Sequence, residues 1–207
     1  ERFAKETSQL VHFVDDDNAN SLLNDIENYP HAYVLACLMD RQIKAERAWV
    51  IPFEIYKEIG SFNFDELEKL DLADLNEIFS QKKLHRFNKT MAGIFHEALI
   101  DIREKYNGNA SKIWNNKPSS SSAVYKFLEF KGSGIKISTM AVNILARQFR
   151  VPFSDYYSVD ISPDVHINRV MKRIGFVPKN ANNDMVIYKA RELTPEFPGI
   201  IDFSCWE

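Results

Sequence analysis

Lys131-Gly132-Ser133-Gly134-Ile135-Lys136 lies between two apolar helical patterns, and the reading of this stretch decides the fold. The segment before it opens on four serines, Ser119 to Ser122, which offer N-caps to a helix with apolar positions Val124, Phe127 and Leu128. Gly132 and Gly134 can take the positive φ that a tight reversal needs. The segment after them carries Met140, Ala141, Ile144, Leu145 and Phe149 at helical spacing. Its first backbone N–H groups have no intrahelical acceptor and so favour a bound anion. Helix, G-x-G turn and helix together make a phosphate grip.

Working outward, helices dominate on both sides. Phe87, Met91, Ile94, Phe95, Ala98, Leu99 and Ile102 recur at three- and four-residue steps, predicting one helix over 87–106 closed by Asn107-Gly108. Pro30 suits the first turn of a helix through Tyr33, Val34, Leu35, Ala36, Cys37, Leu38 and Met39, apolar all round and ending in polar Asp40-Arg41-Gln42. Residues 45–59 read as a helix interrupted at Pro52 and stopped by Gly60, and 64–70 and 72–79 as two short acidic helices. Nearer the N-terminus, helices are expected over 3–14 and from Ser21, with an acidic turn at Asp15-Asp16-Asp17. On the C-terminal side, Asp164 caps a helix through Ile174 that Gly175 and Pro178 end, and 185–193 is also helical. Alternating strand patterns are scarce, so the fold class is all-α.

The 207 residues suffice for one sizeable domain or two small lobes. Hydrophobic residues at 45% and charged residues at 27% describe a globular chain, with no apolar run near the roughly 20 residues that span a bilayer. Two distant cysteines, Cys37 and Cys205, do not make a disulfide framework or a four-cysteine metal or cluster site, which fits an intracellular setting. Net charge is −3, but its distribution is uneven. Residues 1–28 carry seven acids against Arg2 and Lys5, whereas 119–173 carry eight lysines and arginines against four acids. A local basic face on an acidic chain is compatible with DNA.

Taken with the later run Asp164-Val165-His166-Ile167-Asn168-Arg169-Val170, the hairpin resembles that of the helix-hairpin-helix DNA glycosylase superfamily, and most of all its endonuclease III-like branch. That family pairs a Pro-Gly-Val-Gly-x-Lys hairpin with a downstream Val-Asp-x-His-x-x-Arg-Val. The resemblance makes Lys136 the catalytic lysine and Asp164 the catalytic aspartate. It places Lys131, Gly132, Ser133, Gly134 and Ile135 in the DNA-binding hairpin, and Gln42 in the loop that enters the DNA stack. It also implies two lobes with a DNA-binding cleft between them: a helical barrel over 30–150, and a second lobe from 1–29 with 151–207. Several features depart from the family. Lys131 replaces a proline, Pro163 precedes the aspartate, and Lys136 and Asp164 lie 28 positions apart, a longer gap than usual. The additional residues are expected as a loop over 153–161 near the active site. Asp160 offers a competing Val-Asp, but no histidine follows it at the family's offset. Many relatives carry an iron–sulfur loop after a segment similar to 202–207. No cofactor is expected within these residues, and a cluster only if a cysteine-bearing tail follows.

The implied chemistry is base excision. A glycosylase reaches the glycosidic bond only after the damaged nucleotide leaves the stack. The hairpin amides, those of Gly132, Gly134 and Lys136, would hold a phosphate without reading sequence, and Gln42 would fill part of the vacated space. Lys136 would attack the sugar C1′ while Asp164 stabilises the positive charge developing there. The expected activity is therefore a DNA glycosylase with associated lyase activity on an oxidised base. The expected partner is double-stranded DNA carrying a damaged base or abasic site, bound by a monomer in a prokaryotic cytoplasm or nucleoid. Two alternatives stand beside it: a monofunctional glycosylase for alkylated or mismatched bases, and a non-catalytic DNA-binding relative. Phe153, Tyr156 and Tyr157 could stack on a base, but core packing accounts for them equally well.

Overall fold

The computed structural model describes residues 10–205, and all regular structure among them is helical. Two compact units form. The first holds the described residues up to Lys112 together with Phe130–Gly132, and the second holds Ile113–Glu129 and Ser133 onward.

In the first unit, α1 (Asp17–Asn24) and α2 (Pro30–Met39) are followed by α3 (Ala45–Trp49) and α4 (Ile51–Ile59). After them come α5 (Phe64–Leu67), α6 (Leu72–Gln81) and the long α7 (Asn88–Tyr106). Helix α2 is the hub, packing against α1, α3, α4 and α7. All ten of its residues are buried, as an all-round apolar sequence requires. Each large side chain it removes from water contributes about 1.5–3 kcal/mol. Pro52 lies in the first turn of α4, where its missing N–H costs nothing, so the expected helix over 45–59 is two helices meeting at Val50. Gly60 (φ 74°) and Asn107-Gly108 (φ 51° and 75°) end α4 and α7 in the left-handed conformation.

The second unit contains α8 (Ser120–Leu128), α9 (Ile135–Arg147), α10 (Val165–Arg173), α11 (Asn183–Leu193) and α12 (Ile200–Ser204). Ser119 caps α8 by accepting from Ser122 N–H, and α8 packs along α9. Ile161, Ile167, Met171, Val177, Val186 and Ala190 form a buried cluster that fixes α10 against α11.

These units divide the chain elsewhere than the boundaries expected at 30 and 150. Residues 17–24 belong with the first unit because α1 buries Ala19 and Leu23 and packs on α2 and α4. Helices α8 and α9 fall with the C-terminal residues, their apolar faces being spent on one another. The helix expected over 3–14 lies partly outside the described residues, and its described end, 10–13, is not helical. Asn20 accepts from Phe13 and Val14 N–H, and Asn24 from Val11 N–H, so side chains of α1 take the backbone bonds a helix there would have used. That helix α1 begins at Asp17, capped by the Asp16 carboxylate, so the acidic turn is its start.

Candidate active site

The first half of the hairpin rests on α7. Phe130 stacks on Tyr106 with ring centroids 6.2 Å apart, and Lys131 pairs with Glu97. Both partners of that ion pair are well exposed, so it contributes little and leaves the lysine available. Gly132 has φ 85°, and a Cβ there would come within 2.8 Å of Ile94 Cδ1 and 2.9 Å of Arg41 Nη1. Handedness and space both require glycine at this position.

Gly134 behaves differently from expectation. It is extended (φ −114°), and no atom lies within 4 Å of where its Cβ would be. Its role is therefore not to turn the chain. As N-cap of α9 it offers no side chain, so the first amides of the helix have no side-chain acceptor, and the open space in front of them is preserved. Ser133 Oγ lies 2.8 Å from Ser138 Oγ, and Ile135 is 52% exposed. Lys136, at the second position of α9, is exposed, and its amine has no ion-pair partner among the described residues.

Asp164 caps α10: Oδ1 accepts from Ile167 N–H at 2.8 Å, and its carbonyl accepts from Asn168 Nδ2 at 2.8 Å. One carboxylate oxygen thus holds the helix while Oδ2 is uncommitted among the described residues. The segment leading to Asp164 is tied to α9 one turn beyond Lys136. Thr139 Oγ1 donates to Ile135 O at 2.8 Å and lies 3.3 Å from Ser162 Oγ. Ser162 N–H donates in turn to both carboxylate oxygens of Asp202 at 3.0 Å, and Asn143 Nδ2 donates to Asp202 Oδ2 at 3.2 Å. Asp202 is buried, and that burial pushes its carboxyl up to about 6, against these hydrogen bonds and helped by the nearby charge of Asp164. Gly199 closes the network. Its N–H donates to Val159 O at 2.7 Å, and a Cβ there would meet that oxygen and Asn143. Sequence reasoning missed Thr139, Asn143 and Asp202 as a supporting group, because nothing local in the sequence links residues so far apart.

Competing Asp160 is engaged elsewhere, accepting both arms of the Arg191 guanidinium at 2.7 Å. The loop expected over 153–161 has no helix, and it is pinned to its surroundings. Phe153, Val159 and Ile161 are buried, Ser154 N–H donates to Pro118 O at 2.9 Å, and Ser120 binds Asp155. Phe153 and Tyr156 meet edge to face, Tyr156 stacks on Phe197 at 5.1 Å, and Tyr157 is 56% exposed.

In the first unit, Gln42 follows α2 with φ 55°, an uncommon conformation for a side-chain-bearing residue, and it is exposed. The neighbouring Arg41 guanidinium is the group that Gly132 approaches, so the Gln42 loop and the first half of the hairpin are neighbours.

The donor set does not fit an iron–sulfur cluster. Cys37 is fully buried within α2, where burial pushes its thiol far up, and Cys205 is the second of only two cysteines. Among the described residues no group of three or more His, Cys, Asp or Glu could hold a metal ion, and no helix is long and apolar enough to cross a membrane.

Three solved structures match over nearly the whole chain. A trapped endonuclease III–DNA covalent intermediate, an estranged-adenine complex, aligns at TM-score 0.57 and 16% identity over 91% of this chain and 78% of that one. The 8-oxoguanine glycosylase/lyase of Clostridium acetobutylicum, in complex with double-stranded DNA containing cytosine opposite 8-oxoG, aligns at 0.63 and 14% over 92% and 65%. The 8-oxoguanine DNA glycosylase of Methanocaldococcus jannaschii aligns at 0.55 and 19% over 92% and 85%. No protein-family model matches the chain, and no curated protein does. The fold is that of the helix-hairpin-helix DNA glycosylases.

Proposed function

We propose that this chain is a base-excision repair enzyme that removes an oxidised base from double-stranded DNA and then nicks the strand as a lyase. The observation that carries the reading is the tie between Thr139 and Ser162, which sets Lys136 and Asp164 on one hydrogen-bonded framework. The names of the two 8-oxoguanine glycosylases support the oxidised-base class, and the trapped endonuclease III–DNA complex supports a covalent intermediate.

In this reading the open amides at the start of α9 take a backbone phosphate, and the helix dipole favours that charge. Gln42 enters the stack where the nucleotide has left. The Lys136 amine forms a bond to C1′ as the glycosidic bond breaks, and the electron pair of that bond leaves with the base, which is protonated. The uncommitted Oδ2 of Asp164 stabilises the cationic sugar and accepts the proton the lysine loses. Ring opening gives an imine between Lys136 and C1′. Loss of a C2′ proton then expels the 3′ phosphate, and water releases the lysine.

Borohydride reduction on a duplex with an abasic site tests this. The expected result is a covalent protein–DNA adduct that Lys136→Gln abolishes. An adduct surviving that change would displace Lys136 as nucleophile. Base release without any adduct would make the enzyme monofunctional, and tight, salt-sensitive binding without release from any lesion would make it a DNA-binding relative.

A further inference from the structure

His85 is buried at 2% exposure just before α7, where an exposed turn would be the ordinary setting for a histidine. Its Nδ1 accepts from Phe87 N–H at 3.0 Å, and the His85 backbone N–H donates to Asn88 Oδ1 at 2.8 Å. An acceptor Nδ1 fixes the neutral tautomer with hydrogen on Nε2. That nitrogen faces the carbonyls of Met39 and Arg41 without completing a hydrogen bond to any partner. Burial holds the ring's pKa below its usual value against those carbonyls, and Arg41 and Arg47 reinforce the effect.

The carbonyls it faces flank the stretch that sets Gln42. Arg41 N–H donates to Met39 O at 2.8 Å in a tight reversal, and Gln42 follows with φ 55°. A non-glycine residue in that conformation persists only when its surroundings hold it. Arg86, next to His85, also reaches the Gln42 carbonyl at 3.5 Å. We propose that His85 is the positioning residue for Gln42: one buried imidazole, held at the start of α7 through Nδ1, faces the carbonyls of the 39–42 loop and so presents the glutamine to DNA. The assignment rests on the repair reading above, in which Gln42 enters the stack.

Two measurements on the full chain test it. Hydrogen exchange followed by mass spectrometry reads the 39–44 peptide without DNA, and anisotropy compares a duplex carrying a tetrahydrofuran abasic analogue with an intact one. His85→Leu, which removes both nitrogens, is expected to speed exchange of that peptide about tenfold and to cut the abasic preference about tenfold. His85→Asn, which keeps an acceptor near the Nδ1 position, recovers part of both and serves if the leucine variant folds poorly. In a Gln42→Ala background His85→Leu costs no further abasic preference. Unchanged exchange in both variants overturns the proposal, as does an equal loss of preference with and without Gln42. A wild-type protein with no abasic preference sinks the repair reading instead, and the exchange rates then decide alone whether His85 holds the loop.

Discussion

Thr139 Oγ1 lies 3.3 Å from Ser162 Oγ, and this contact joins the helix that carries Lys136 to the segment that delivers Asp164. Thr139→Val keeps the shape and removes the hydroxyl. The stability loss should be about 1–3 kcal/mol, the net worth of the hydrogen bonds its hydroxyl makes to Ile135 O and Ser162 Oγ, and Thr139→Ser should restore it. The rate of borohydride trapping should fall by about tenfold, because the lysine and aspartate must be held in register. Equal trapping rates in single-turnover experiments would show that the contact is structural only.

The two hairpin glycines should separate stability from binding. Gly132→Ala forces a side chain into the left-handed region and against Ile94 and Arg41, so a loss of at least about 1–2 kcal/mol in thermal or urea melts is expected. Gly134→Ala meets nothing and keeps an ordinary φ, so its melting temperature should hold. Its duplex affinity should still drop, since a methyl group intrudes where a phosphate would approach the α9 amides. Loss of stability in the second variant, or its absence in the first, would contradict this division.

Asp160 and Arg191 form a bidentate pair in which the carboxylate is 8% exposed and the guanidinium 42%. Arg191→Ala leaves a buried carboxylate unpaired. The cost should be about 2–3 kcal/mol, below the range for a fully buried pair because the arginine is partly in water. Asp160→Asn, which retains an acceptor, should cost less. Urea midpoints of the two variants check the order.

What periodicity could reach, it reached. Helices α2, α7 and α9 bury one continuous stripe or their whole surface, and Ser119 and Asp164 cap α8 and α10 as local chemistry dictates. What it could not reach depends on partners distant in sequence. Residues 10–13 look helical until Asn20 and Asn24 are seen to take their backbone groups. The stretch before Asp164 is legible as a loop, but its pinning by Ser120, Pro118 and Gly199 is not. That Lys136 lies in the first turn of α9 and that Asp164 caps α10 was legible, because both follow from local signals. The framework beneath them was not, since Thr139, Ser162 and Asp202 meet only after folding.

His31 and Asp202 should give the two units opposite responses to acid. His31 is 2% exposed in α2, with Nε2 2.7 Å from Phe62 O, and burial lowers its pKa to about 4. Its contribution to stability is complete above about pH 6.5 and is lost as pH falls through about 4. Asp202 has its carboxyl raised by burial from 3.8 to about 6, so its contribution is complete below pH 3.8 and is lost as pH rises through about 6. Each displacement corresponds to roughly 3 kcal/mol, and the two nearly cancel between pH 4 and 6.5. Single variants should expose them. Urea unfolding of His31→Asn should show a smaller loss on going from pH 7 to pH 4.5 than the wild type, whatever its absolute stability. Asp202→Asn should show a larger loss, because the gain from neutralising the carboxyl is gone. Identical pH slopes in all three proteins would mean that neither group titrates far from its ordinary value in the folded chain.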